Sequence, residues 1–516
     1  MNTFMNELEN ATNFTYTENG AVTHTTTRSA LLDMFGMGAA MRSRSDEDVI
    51  LMFQKAYQEN PTYALKCLFY IRDILQGQGE RRFFRVCMRW LASQQPESCA
   101  RNLKYIPLFG RWDDLYAFVK TPVEKKAFDI MLHQLALDVE SKTPSLLAKW
   151  LKSENTSSKE SRLLAKITRN YFDMNAKQYR KTLSILRKRI NVLERLMSEG
   201  RWDEIEFDKI PSRAGLIYKN AFARHDLERM ASEKDVQSYE DFAKDTTTKV
   251  NAKALYPYEC VAQAIKTMRC DYWSRESVPM DDVNRLMVNK YWGNLTDYFN
   301  DATFNGIAVV DTSGSMTGGW MNRKGPAPID VAISLGLYCA EKNNGPFANR
   351  YISFSSRPQL IKTEGVDFCD KVARIYRTNL CENTNIQAVF DLFLNTIKKN
   401  GVKLSDIPKN IIIISDMEFD EANYDWRTIG RHFTKDNAET LLEYIARQWA
   451  EEGYELPHLI FWNVDARQDN IPMLGQGRIS YISGFSPSIF ESLMSGKSGY
   501  DLMMEKLNSE RYAMIA

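Results

Sequence analysis

Five side chains carry oxygen donors at positions from which a folded chain could bring them together. The stretch AVVDTSGSMTG, residues 308–318, runs an apolar segment into Asp311 and then sets Ser313 and Ser315 two residues apart. A second apolar run, NIIIISD, ends at Asp416, and ENTNIQAVFD carries Thr384 where a helical pattern opens. These are all hard oxygen donors, the chemistry that suits Mg²⁺ or another divalent cation such as Mn²⁺. Two serines spaced by two on a turn can face one point, and their neutral hydroxyls would hold an ion without cancelling its charge. Asp311 and Asp416 would anchor it through waters or through the serines' hydrogen bonds. An ion held in this way keeps an open position for an anionic oxygen from a partner. The competing reading is a set of unrelated turn and cap residues, which use the same amino acids.

For the five to meet, the right elements must carry them. After about residue 300 short β-rich runs alternate with helical patterns. The runs are GIAVVD (306–311), RYISFS (350–355), NIIIISD (410–416), HLIFWNV (458–464) and ISYISG (479–484), with helices expected near 328–343, 385–399 and 437–452. Such alternation predicts a parallel sheet with helices on both faces, and the consecutive apolar positions suit strands covered on both sides. In the common doubly wound order 3-2-1-4-5-6, the strands ending at Asp311 and Asp416 are neighbours at the switch point, where ligands bind.

The preceding region has a different grammar. Residues 1–45 are rich in Asn and Thr and predict an extended or partly ordered segment. Residues 46–300 read as helical throughout: DEDVILMFQKAYQENPTYALKCLFYIRDIL divides at Asn60-Pro61 into two amphipathic helices. GQGERRFFRVCMRWLAS supplies a third helix, and IPLFGRWDDLYAFV begins another after Gly110. Short helices joined by brief turns predict a solenoid-like, HEAT-like α-helical array, although no clean repeat period is present. The GQGERR stretch lacks the frame of a phosphate loop and follows a helix, so it predicts a helix–helix turn with Gly77 or Gly79 at positive φ.

The residues DTSGS, Thr384 and ISD resemble the metal-ion-dependent adhesion site of von Willebrand factor A (vWA) domains. The pattern DxSxS falls on Asp311, Ser313 and Ser315, the loop threonine on Thr384, and the strand-end aspartate on Asp416. The phrases FYIRDILQGQGERRFFRVCMRWL, FGRWDDL, QYRKTLSILRKRINVLERLM, NAKALYPYE and SDMEFD resemble domain of unknown function family 2828 over nearly the whole chain. That resemblance implies a helical region followed by a C-terminal vWA domain over residues 301–516, a doubly wound, Rossmann-like α/β fold. The layout is similar to TROVE proteins of the Ro autoantigen type, whose helical ring binds non-coding RNA, so 46–300 would be a TROVE-like domain.

An RNA partner would need a basic surface. In AKQYRKTLSILRKRINVLERLM, Tyr179, Leu183, Leu186, Ile190, Leu193 and Met197 form an apolar helical stripe. Lys177, Lys181, Lys188 and Arg195 share another face, with Arg180, Arg187 and Arg189 beside it. Such a row could track phosphates, or it could be an ordinary solvated face. The alternative partner is an acidic protein surface, as in vWA domains generally.

The bulk composition narrows the classes. The chain has 516 residues, 44% hydrophobic and 26% charged, with a formal net charge of +1, so no global field selects a nucleic acid. The eight cysteines form no CxxC pair or Cys/His cluster and read as reduced thiols. No leader pattern and no membrane-length apolar run is present, which predicts a cytoplasmic, monomeric protein. A metal-dependent phosphoester hydrolase is the rival class. It would need a base or a second metal near the site, for which His432 and the acidic run at 417–425 are the candidates. The expectation is a binding protein, not an enzyme.

Overall fold

The computed structural model describes residues 12–232, 236–267, 282–299, 303–317, 325–355, 357–378, 383–421, 440–472, 478–493 and 496–516. Its contacts divide the chain into two compact units. One comprises Met1–Cys67, Leu255–Met280 and Leu295–Glu510, and the other Leu68–Ala254, Asp281–Asn294 and Arg511–Ala516.

The first unit is built on a six-stranded sheet and a small hairpin. The hairpin pairs β1 (Phe14–Tyr16) with β2 (Val22–His24), antiparallel. The large sheet contains β3 (Gly306–Val310), β4 (Arg350–Ser353), β5 (Leu360–Lys362), β6 (Asn410–Ser415), β7 (His458–Asn463) and β8 (Ile479–Ser483). Its order is β5-β4-β3-β6-β7-β8, which counted within the sheet is 3-2-1-4-5-6. All pairs are parallel except β4 with β5. The strands β3 and β7 are buried at every position, and β6 at all but its first, as the continuous apolar runs imply. The sheet is thus mixed, mostly parallel and Rossmann-like in order. The helices Pro328–Lys342, Ile386–Asn400 and Leu441–Glu451 fall where the 3.6-residue pattern places them. The edge strand β5 and the helix Phe368–Thr378 were not legible, because LIK is short and largely exposed and shows no alternation.

Residues 12–45 carry more structure than their Asn- and Thr-rich composition suggests. Beyond the hairpin, the helix Ala30–Met37 is capped by the Ser29 hydroxyl and packs on β7 and β8. Its run ALLDMFGM buries Leu31, Leu32, Met34, Phe35 and Met37. The close approach fixes Gly36, where an added Cβ would lie 2.3 Å from the ring of Tyr481. The apolar area of that helix supplies the order that a polar segment alone would lack. From Leu255 onward the phrase NAKALYPYE also belongs to this unit: Tyr256 and Tyr258 meet the ring of Phe485 edge-on, with centroids 4.7 and 5.1 Å away.

The second unit is an array of short helices, including Arg82–Gln94, Glu124–Glu140, Lys159–Tyr171, Ala176–Arg189 and Ser212–Arg224. In the first unit, the break at Asn60-Pro61 falls between helices Asp46–Glu59 and Pro61–Arg72, since proline cannot continue the first and suits the start of the second. The turn GQGERR has Gly79 at φ +67°, so Gly79 supplies the left-handed residue. The phrase FGRWDDL forms a 3₁₀ turn, Trp112–Phe118, whose Asp114 is fully buried. There Arg72 donates from Nε (2.9 Å) and Nη2 (2.7 Å) to Asp114 Oδ2, and Arg85 donates to Oδ1 (2.6 Å). The Arg111 amide adds a fourth bond at 2.9 Å. The neighbouring Asp73 pairs with Arg511 and accepts from the Tyr512 hydroxyl at 3.1 Å.

Removing one partner of a buried pair strands the other charge. Asp114→Ala is expected to destabilise the helical unit by about 3–5 kcal/mol. Loss of the exposed Lys125–Asp129 pair (2.8 Å) through Asp129→Ala should cost at most ~0.5 kcal/mol. Chemical denaturation of the two variants checks the difference, and equal costs would refute the structural role given to Asp114.

Candidate metal centre

The register places the site. Strands β3 and β6 pair directly, with Val310 opposite Ile414, so both chains leave the sheet side by side. Asp311 follows β3 and its amide bonds the Ile414 carbonyl at 3.0 Å; Asp416 follows β6. Both carboxylates are buried, at 0% and 2% exposure. The Asp311 carboxylate accepts from the Ser313 amide through Oδ1 (2.9 Å) and from the Ser415 hydroxyl through Oδ2 (2.6 Å). The first of these bonds folds the DTSGS segment back on its own aspartate. It also sets the Ser313 and Ser315 hydroxyls 3.0 Å apart. Ser315 in turn hydrogen bonds Asp416. Four of the five expected residues are therefore one hydrogen-bonded cluster.

Thr384 is reached indirectly. Its buried hydroxyl accepts from Asn19 Nδ2 (2.8 Å) and donates to Asp420 Oδ1 (3.0 Å), while the Asp420 amide bonds the Thr384 carbonyl at 3.0 Å. Thr384 is thus tied to the loop that follows Asp416 and not to Asp311 or the serines. The same loop turns at Met417, a buried non-glycine residue at φ +68°. That sparsely populated conformation is held by the Met417 amide on Ser415 Oγ (3.0 Å) and the Glu418 amide on Asp416 Oδ1 (3.3 Å).

Burial and crowding set the electrostatics. Burial, followed by the charge of Asp416, pushes the Asp311 carboxyl up to about 7. Burial also raises Asp416, against the opposing pull of Arg467 and the Ser315 hydroxyl. Arg467 Nη2 donates to Asp416 Oδ2 at 2.9 Å, and its Nη1 lies 2.7 Å from Glu18 Oε2. A third acid, Glu418, accepts from the Glu18 amide and from Asn470, yet its Oε1 is buried with no hydrogen-bond partner. Burial pushes Glu418 up to about 7 as well. Asp416 and Glu418 thus share one guanidinium, while Asp311 beside them is met by hydroxyl and amide donors. An all-oxygen donor set with uncompensated negative charge fits a hard divalent cation, and Asp311, Ser313, Ser315 and Asp416 are the residues placed to hold it.

Sequence reasoning did not find Arg467, Ser415, Glu18 or Asn19, whereas Glu418 and Asp420 fall in the acidic run at 417–425 named above as a candidate for a second ion. Arg467 follows β7, and Glu18 and Asn19 lie some four hundred residues from the motif, so no local spacing marks them. Ser415 sat inside the quoted run NIIIISD without being singled out. His432, the segment DWR at 425–427 and the end of the acidic run at 417–425 lie outside the described residues.

The basic helix Ala176–Arg189 buries Tyr179, Leu183 and Leu186, as its stripe predicts. Its cations are unequal. Arg187 is clamped on the Ala148 and Leu151 carbonyls, each at 2.8 Å, and on Ser153 Oγ at 2.9 Å. Arg189 donates to the Val139 carbonyl, and Arg180 lies 3.9 Å from Glu154. The expected continuous stripe breaks after Arg189 at Asn191 (φ +48°), so Arg195 lies on the next helix, Leu193–Ser198, where it pairs with Glu199. Lys177, Lys181 and Lys188 are exposed. At 100° per residue these three fall within about 40° on one face. Arg180, Arg187 and Arg195 also line a cleft of about 780 Å³ with Trp150, Glu154 and Glu194, where acids offset the bases.

A family profile described as Domain of unknown function (DUF7788) matches residues 305–513. The Uncharacterized protein L728 of Acanthamoeba polyphaga mimivirus is 29% identical over 524 residues, covering 94% of this chain and 85% of that protein. The crystal structure of Deinococcus radiodurans RO (RSR) protein aligns over 91% of this chain and 99% of its own, with a TM-score of 0.46 and 14% identity. A profile described as Domain of unknown function (DUF2828) matches residues 17–166 and 133–303. These two segments span more than half of the chain, and the protein belongs to the DUF2828 family.

Proposed function

We propose that this protein is a cytoplasmic, metal-dependent binding protein, without catalysis of its own, in which the α/β unit is a vWA domain with an adhesion-type cation site. The observation that carries the reading is the convergence of Asp311 and Asp416, both buried, on the paired hydroxyls of Ser313 and Ser315. Thr384 completes the set through the Asp416 loop. A bound Mg²⁺ or Mn²⁺ would supply a Lewis-acidic position open to an anionic oxygen. The protein's own groups do the rest: Ser415 and the Ser313 amide orient Asp311, and Arg467 and the Glu418 amide orient Asp416.

RNA is the partner favoured here. Phosphate oxygens suit both an open cation position and the exposed stripe Lys177, Lys181 and Lys188, so one polymer answers two separate features. The arginines of that helix serve mainly to hold it on its neighbours, and only the lysines are assigned to phosphate contact. The second reading is an adaptor that captures an acidic residue of a protein partner. It is favoured by one observation, that Glu18 already presents a carboxylate to Arg467.

Two measurements test the proposal. Asp311→Asn removes a destabilising buried charge but keeps the side-chain shape. In EDTA at neutral pH the variant should melt roughly 1–2 °C above the wild type, the shift that about 1 kcal/mol gives in a chain of this size. Mg²⁺ should stabilise the wild type by mass action and leave the variant unmoved; equal Mg²⁺ responses would remove the site. For the partner, replacing Lys177, Lys181 and Lys188 with Ala should weaken binding of a single-stranded RNA. The slope of log K against log salt should also flatten by about 2. A wild-type slope near zero would rule out RNA and leave the adaptor.

A further inference from the structure

The turn that joins β1 to β2 is seated on the loops of the metal centre. Thr17 donates from Oγ1 to the Phe419 carbonyl at 2.6 Å, and the Glu18 amide donates to Glu418 Oε2 at 2.7 Å. Asn19 donates both to Thr384 Oγ1 (2.8 Å) and to the Glu418 carbonyl (2.7 Å), while its own carbonyl receives the Glu421 amide at 3.0 Å. Every one of these bonds joins the N-terminal segment to a loop carrying Thr384 or Asp416.

The side chain of Glu18 does something different from its backbone. It reaches Arg467 Nη1, whose other arm holds Asp416 Oδ2. The Asp416 end of this relay is 1% exposed, and the Glu18 end is 39% exposed. The inner pair is therefore fixed by burial, whereas the outer pair is an exposed ion pair of small net strength that water and other anions can enter. The guanidinium is also incompletely satisfied, since Arg467 Nε is buried with no hydrogen-bond partner. A planar fork of this kind favours bidentate contact with a carboxylate or phosphate.

We propose that Glu18 is a tethered stand-in for the partner's anionic group. Its carboxylate occupies the outer arm of Arg467, a carboxylate or phosphate arriving at the cation displaces it, and Arg467 then becomes the second anchor of that ligand. The inference rests on the metal reading above and adds a specificity residue and a competitor to it. Tethering gives Glu18 a high effective concentration, so only an anion held at a second point, here the cation, displaces it at low concentration.

The test uses the full chain with excess Mg²⁺ and two probes, inorganic phosphate and acetate, which separate the phosphate source from the carboxylate source. Hydrogen exchange is read at the segment 17–21 and at Glu421, whose amides report whether the turn is seated. The probe that binds should speed exchange there in the wild type. Calorimetry should give Glu18→Gln an affinity for that probe about fivefold above wild type, the scale of an exposed ion pair. Arg467→Gln should lose the probe while still binding Mg²⁺. Unchanged or slowed exchange on probe binding, equal affinities of Glu18→Gln and wild type, or no binding of either probe to Glu18→Gln would each overturn the proposal. Failure of the metal reading looks different: the wild type takes up no Mg²⁺ at all.

Discussion

Two carboxylates removed from water at the ends of adjacent parallel strands are the constraint around which the α/β unit is arranged. Asp311 and Asp416 stand where strand order reverses, so the crevice there is closed by no following strand on either side. Burial raises both groups, and each makes the other less willing to ionise. The surroundings answer in kind: hydroxyls of Ser313, Ser315 and Ser415, amides of Ser313 and Glu418, and one guanidinium all face the pair. Even the strained backbone of Met417 serves this end, because it aims the Glu418 amide back at Asp416.

The N-terminal segment gains its role from the same constraint. A hairpin of two three-residue strands is too small to be stable in water by itself. It is held by side chains and amides of the Asp416 loop, and the helix that follows is held by the apolar faces of β7 and β8. Order in residues 12–45 is therefore borrowed from the sheet. In return the hairpin supplies Asn19 to Thr384 and Glu18 to Arg467.

The helical unit shows why distinctive phrases need not be functional ones. In FYIRDIL and FGRWDDL the charged residues stand among apolar ones, a pattern that suits packing and capping better than function. In the fold they are interior: Arg72 and Asp114 form a buried network with Arg85, and Asp73 binds Arg511. Such residues cannot be exchanged singly without stranding a charge, which is a demand of folding and not of ligand binding. The lysines of the Ala176–Arg189 helix are the opposite case: Lys177, Lys181 and Lys188 are exposed and make no ion pair among the described residues.

The order of elements was legible because it depends on local pattern. Short, β-branched apolar runs such as NIIIIS suit strands covered on both faces, and the break at Asn60-Pro61 follows from proline's missing amide. From these came the strand order and the prediction that Asp311 and Asp416 would be neighbours. The edge strand Leu360–Lys362 was not legible because it is short and largely exposed, and the buried helix Ala30–Met37 because it depends on strands distant in the chain. The site divides in the same way. Ser313, Ser315 and Asp311 declared themselves through spacing, because a turn imposes geometry on residues two apart. Arg467, Glu18 and Asn19 came into view only with the tertiary structure, because a charge buried by folding takes whatever partner the fold delivers, from any distance along the chain.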